Sequence, residues 1–327
     1  MKFRLTLGFS AVCVMGVCTA LGMGVASGAP GIPTTPGPAQ SNHADAIRYS
    51  KANPDAVPPG VNDPECVPTS EHSEPVILVP GTDATVYSDW AGLGPVLKAA
   101  GYCAYALNYG ASPDGTSYGF SDIAGSAEQL KEFTDSVLAS TGATSVNLIG
   151  YSQGAAVTRY YTNRLGGAEV VDKWIGIASP TYGGTAYGTS PVLQAVPGGT
   201  TLVAGRFGPA LVELLQGSEF LNQLNAGGDT VPGVAYTSIA TRVDETIQPY
   251  TNALLRDPGA TNIVIQDVCP QDNVAHFTFT YDPTAIGLVL AALDPSAGIV
   301  APCGPVPLGA GILDVVIASN QQITEHR

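Results

Sequence analysis

A serine and a histidine make a nucleophile and its base only when a fold sets them side by side, and this chain has just four histidines. The pentapeptide Gly150-Tyr151-Ser152-Gln153-Gly154 follows the apolar run 146–149 and leads into an amphipathic stretch from about 153 to 164. A serine between two glycines at a strand-to-helix junction fits a nucleophile elbow. Strand and helix approach too closely there for side chains at the flanking positions, and the turn presents the hydroxyl. A tight turn that merely needs small residues is the alternative explanation of the same pattern.

A hydroxyl stays a weak nucleophile until a base takes its proton. His43 lies in a proline-rich segment, His72 precedes the first clear strand, and His326 is penultimate. His276 follows the serine inside the folded region, beyond the last expected strand, and is the candidate base. Such a base needs a carboxylate to fix its tautomer and stabilise the imidazolium. Asp172, Asp229, Asp244, Glu245, Asp257 and Asp267 lie between Ser152 and His276. Asp172 and Asp229 precede strands, Asp257 falls in a loop, and Asp267 falls in the last strand itself. Asp244 follows the strand expected over 234–241, at the carboxyl end where parallel sheets bind ligands; it is preferred, with Glu245 as its rival. The oxyanion of a tetrahedral intermediate needs donors. Gln153 offers its backbone N–H, and Pro80-Gly81-Thr82, ending an early strand, offers the N–H and hydroxyl of Thr82.

These residues need a scaffold, and the pattern around them supplies one. Residues 75–79 and 103–109 read as strands, and 90–100 as a helix stopping at Gly101. Ile123, Ala127, Leu130, Phe133 and Val137 recur at steps of three and four, an amphipathic helix capped by Ser121 or Asp122. Strands follow at 146–149, 174–178, 234–241 and 261–268. Strands alternating with helices predict a mostly parallel α/β sheet with helices on both faces. Residues 179–232 are glycine-rich and looser, an insertion long enough to form a lid or pocket.

With 45 % hydrophobic and 12 % charged residues the composition is globular. A net charge of −14 excludes the basic character that nucleic acid or anionic lipid rewards, and leaves a neutral substrate compatible. Lys2 and Arg4 precede an apolar run over 5–26 and the small residues Ser27-Gly28-Ala29, so 1–29 is expected to be a signal peptide and the mature chain secreted, with no stable membrane span after cleavage. An uncleaved anchor is the alternative. Prolines recur through 30–62, which predicts a strap or linker without helix or ladder; 63–327 is then a single catalytic domain. Beyond the signal remain Cys66, Cys103, Cys269 and Cys303, an even set suited to two disulfides in any of three connectivities. No C-x-x-C or H-x-x-x-H spacing suggests a metal, and no cofactor is expected.

The segments "PVILVPGT", "GYSQG", "VDETIQPY" and "VCPQDNVAHFTFTYDPTAIGLVLAAL" resemble secreted lipases of the α/β-hydrolase superfamily, the group of Candida antarctica lipase B and its actinobacterial relatives. The resemblance runs from about Cys66 to Cys303. It implies the α/β-hydrolase fold, a triad of Ser152, Asp244 and His276, an oxyanion hole at Thr82 and Gln153, and hydrolysis of a neutral lipid ester at a lipid–water interface. It also implies the disulfides Cys66–Cys103 and Cys269–Cys303; the second would close a loop around His276, contributing about 3–4 kcal/mol. Gly150 and Tyr151 depart from the threonine and tryptophan of lipase B, and Tyr151 sits where selectivity is expected to be set. A carboxylesterase, polyester depolymerase or acyltransferase would use the same triad. A hydrolase-fold binding protein with an inert triad is the non-enzymatic alternative.

Overall fold

The computed structural model describes residues 32–185, 195–196 and 198–321; the expected signal segment 1–29 lies outside them. Strands β1 (Thr35–Pro36) and β2 (Ala56–Val57) form a small parallel pair. The main sheet holds β3 (Val76–Val79), β4 (Ala104–Ala106), β5 (Val146–Tyr151), β6 (Val171–Ile177), β7 (Ala235–Ala240) and β8 (Thr261–Val264). Helices α1 (His43–Ala52), α2 (Val86–Trp90), α3 (Leu93–Ala99), α4 (Ile123–Thr141) and α5 (Gln153–Arg164) belong to the first half. The second half contributes α6 (Gly199–Phe207), α7 (Pro209–Glu213), α8 (Glu219–Leu224), α9 (Ile265–Val268), α10 (Pro283–Leu293) and α11 (Ile312–Asn320).

The main sheet runs β4-β3-β5-β6-β7-β8, and every neighbouring pair is parallel. Parallel neighbours need crossovers, and these put helices on both faces. Alternation along the strands divides the core accordingly. Val76 and Leu78 pack with Trp90, Leu97 and Leu288 on one side, whereas Ile77 and Val79 pack with Leu130, Phe133 and Val157 on the other. The expected stripe of α4 is the face it buries, and Asp122 caps it by accepting from the Gly125 N–H at 2.7 Å.

Four local expectations change. The strap forms both a helix and a ladder. Between Pro38 and Pro54 the chain has no proline, so α1 can run from its cap Asn42, which accepts from the Asp45 N–H at 2.9 Å. The ladder skips Pro36, because Thr35 and Gly37 donate on either side of it. Of the helix expected over 90–100, Leu93–Ala99 forms α3, while Trp90 ends the separate α2; the break falls at Ala91 and Gly92, where a Cβ on Gly92 would stand 2.9 Å from Tyr281. The last strand ends at Val264 and its remainder is α9, so Asp267 is on a helical turn rather than in a strand. Asp172 lies within β6 rather than before it.

Residues 186–194 and 197 of the insertion lie outside the described residues. The rest is anchored beside the sheet: Glu213, ending α7, accepts from the Ile123 N–H at 2.7 Å and so helps cap α4. Both disulfides have the pairing implied by the resemblance, Cys66–Cys103 and Cys269–Cys303. Among the described residues no helix is long and apolar enough to cross a membrane.

Candidate active site

The elbow follows from two close approaches. A Cβ on Gly154 would lie 2.1 Å from the Val79 carbonyl oxygen, and one on Gly150 would lie 2.5 Å from the Ala155 backbone. Only glycine fits either place, so α5 can start directly above β3 and β5. Ser152 bridges them with φ 51° and ψ −121°, a conformation that costs a non-glycine residue about 1–3 kcal/mol. Its N–H donates to the Ile177 carbonyl at 2.9 Å, which ties the strained turn to β6.

His276 stands over that turn, with Nε2 3.0 Å from Ser152 Oγ and Nδ1 3.0 Å from Asp244 Oδ2. The other oxygen of Asp244 accepts from the Thr246 and Ile247 N–H groups at 2.8 and 2.6 Å, which orients the carboxylate. Glu245, the rival acid, takes a different place: it accepts from the N–H groups of His276 and Phe277 at 2.7 and 3.1 Å. Tyr151 turns inward and donates its phenol to the His276 carbonyl at 2.6 Å, so it supports the histidine instead of lining a pocket. His276 is buried, and burial pushes its pKa down. The charge of Asp244 with its hydrogen bond, then Glu245 and Asp89, push it up, and the balance lies above the ordinary value.

The loop after β3 faces the elbow. Tyr109 donates to the Pro80 carbonyl at 2.8 Å, and Gly81 donates its N–H to buried Asp89 at 2.7 Å. With Gly81 held, Thr82 comes over α5; its hydroxyl donates to Gln153 Oε1 at 2.7 Å, while Gln153 Nε2 donates to the Gly119 carbonyl at 2.9 Å. No described residue accepts from the backbone N–H of Thr82 or Gln153. Beside Thr82 opens a cleft of about 460 Å³, polar at Asp83, Ser112 and Thr116 and apolar at Phe120 and Leu211.

The structure thus brings together Ser152, His276, Asp244, Thr82 and Gln153. The remaining acids stand elsewhere: Asp172 pairs with Lys173 and Asp267 with Arg242, while Asp229 and Asp257 accept backbone N–H groups. In the sequence His43 is set aside by its place among prolines, and Asp89, Tyr109 and the supporting role of Glu245 carry no motif; their contacts with Phe277, Gly81, Pro80 and the His276 turn form only in the fold. Among the described residues no group of histidine, cysteine and carboxylate side chains is arranged to hold a metal.

Comparison with known proteins agrees with this architecture. The family model for class 2 lipases matches residues 73–286. A triacylglycerol lipase of Pseudarthrobacter phenanthrenivorans is 43 % identical over 93 residues, 26 % of this chain and 27 % of that protein. One of Burkholderia plantarii is equally identical over 93 residues, covering 26 % of this chain and 24 % of its own. The chain therefore spans about a quarter of the length of these curated relatives. Aspergillus fumigatus lipase B superposes with a TM-score of 0.57 at 24 % identity, over 77 % of this chain and 63 % of that one. A mature Bacillus licheniformis lipase superposes with a TM-score of 0.54 at 16 % identity, over 71 % and 96 %. The fold is that of the α/β-hydrolases, and the match over residues 73–286, more than half of its length, places the chain in the class 2 lipase family.

Proposed function

We propose that this protein is a secreted serine ester hydrolase acting on neutral lipid esters, triacylglycerol foremost. The observation that carries the reading is the continuous line from Ser152 through His276 to Asp244, 3.0 Å at each step, set on a strained elbow. His276 Nε2 takes the serine proton as Oγ bonds to the ester carbonyl carbon. The carbonyl oxygen becomes an anion, received by the N–H groups of Thr82 and Gln153 and by the Thr82 hydroxyl once it turns from Gln153. His276 then gives the proton to the departing alcohol, leaving an acyl group on Ser152. Water, deprotonated by the same nitrogen, releases the acid and restores the serine. The cleft beside Thr82, with Phe120 and Leu211 in its lining, gives an acyl chain room. The signal-like first 29 residues and the two disulfides support export.

Ser152→Ala should abolish turnover of p-nitrophenyl esters while circular dichroism stays that of the folded protein. Retained turnover would overturn the assignment. Rates on emulsified triglyceride of increasing chain length separate a lipase from an esterase, whose rate collapses beyond short acyl groups. The mass of protein recovered from culture medium locates the cleavage site.

A further inference from the structure

His43 belongs to the strap, yet its ring is buried between two parts of the site. Nδ1 lies 2.6 Å from the carbonyl oxygen of Phe277, the residue after His276. A carbonyl only accepts, so Nδ1 carries a proton. Nε2 lies 3.1 Å from Asp89 Oδ1, and the ring stacks on Tyr281 with centroids 5.4 Å apart. Asp89 is fully buried, and its other oxygen is the one that holds the Gly81 N–H. Its Oδ1 takes no directed hydrogen bond, so His43 Nε2 meets it as a close polar contact. Removing the imidazole takes away the polar group that faces this buried carboxylate oxygen, which is unfavourable.

Residues 276 and 277 have four backbone polar groups, and all four are held. Glu245 accepts both N–H groups, Tyr151 donates to one carbonyl, and His43 donates to the other. Of these holders, His43 is the one contributed by the strap. We propose that His43 is a positioning residue, tying the strap to the oxyanion loop through Asp89 and to the His276 turn through the Phe277 carbonyl. The proposal rests on the ester-hydrolase reading above. Misplacing a reacting group by about 1 Å can cost about 100-fold in rate. The charged and titratable groups acting on His276 are Asp244, Glu245 and Asp89, with Tyr151 packed beneath it. Those in contact with His43 are Asp89 and Tyr281. Asp89 is one of the groups that raise the His276 pKa, so displacing its carboxylate by removing the imidazole alters that titration.

His43→Phe keeps the stack on Tyr281 and removes both nitrogens; His43→Gln keeps one donor. In H43F, kcat on a short p-nitrophenyl ester should fall about 10- to 100-fold with KM within roughly twofold, and the acid limb of kcat/KM should shift. H43Q should lie between H43F and wild type, and adding Asp89→Asn to H43F should move the limb to lower pH. Titration of the His276 ring followed by NMR reads the same shift whether or not esters turn over. Wild-type inactivity together with that NMR shift would sink the ester-hydrolase reading and leave the tether standing. Unchanged kcat and His276 titration in both variants would overturn the tether. So would a loss that merely tracks the folded fraction in both.

Discussion

The phenol of Tyr151 donates to the carbonyl oxygen of His276 at 2.6 Å, with the two rings 5.3 Å apart. The residue before the elbow serine therefore holds the backbone of the histidine that bonds that serine. Expected at a selectivity position, Tyr151 is directed away from the cleft. Tyr151→Phe leaves a buried carbonyl without its donor, which should lower stability by about 1–3 kcal/mol in denaturant unfolding. The acyl chain-length profile should keep its shape. A changed profile would return Tyr151 to the pocket wall.

The elbow predicts opposite effects from two small substitutions. Gly154→Ala sets a methyl 2.1 Å from the Val79 carbonyl oxygen, so the strand–helix contact must open. Overpacking of this kind should destabilise by about 3 kcal/mol. Ser152→Gly instead removes a side chain from a backbone held at φ 51°. It should eliminate activity while raising stability by about 1 kcal/mol. Thermal melts of both variants test the pair, and an unchanged melt for Gly154→Ala would contradict the close approach.

The environment of His276 sets the acid limb of activity. Its pKa lies above 6.5, because burial is outweighed by Asp244, Glu245 and Asp89. A base must be neutral to act, so kcat/KM should rise through a midpoint above 6.5. For stability the sign is opposite. A raised folded value contributes stability that is fully present below the unfolded value and is lost as pH rises through the folded one. A kcat/KM midpoint below 6.5 would show that burial wins.

Asp282 caps α10, accepting from the Ala285 N–H at 2.8 Å. Burial first, then the Asp272 carboxylate, pushes its pKa up to about 6. Its contribution to stability is present below the ordinary value of 3.8 and is lost as pH rises through about 6. Asp282→Asn keeps an acceptor for the cap and removes the charge. Its melting temperature should exceed wild type at about pH 8 and match it at about pH 4. Equal effects at both pH values would remove the titration argument.

Local chemistry made part of the site legible. The spacing of Ile123, Ala127, Leu130, Phe133 and Val137 marks the buried face of α4, and α5 has the expected limits Gln153 and Arg164. Ser152 stands out by the glycines around it, His276 by the places of the other three histidines and Asp244 by following a strand, and the fold sets the His276 ring 3.0 Å from each of the other two. In the strap, the many prolines mask the proline-free stretch between Pro38 and Pro54 that forms α1. Asp267 was misplaced because an apolar run does not tell a strand from the helical turn that follows it.

The amino-acid sequence alone determined the elements and the residue types at the elbow, since helix periodicity, capping and glycine requirements act within a few positions along the chain. Only the tertiary structure decided how those parts are held. Glu245 became the support of the His276 turn, Tyr151 its second support, and Asp89 the anchor of Gly81. His43 meets Phe277 across 234 positions of sequence, a contact with no local signature, because it exists only where the strap helix packs against α2 and the His276 turn.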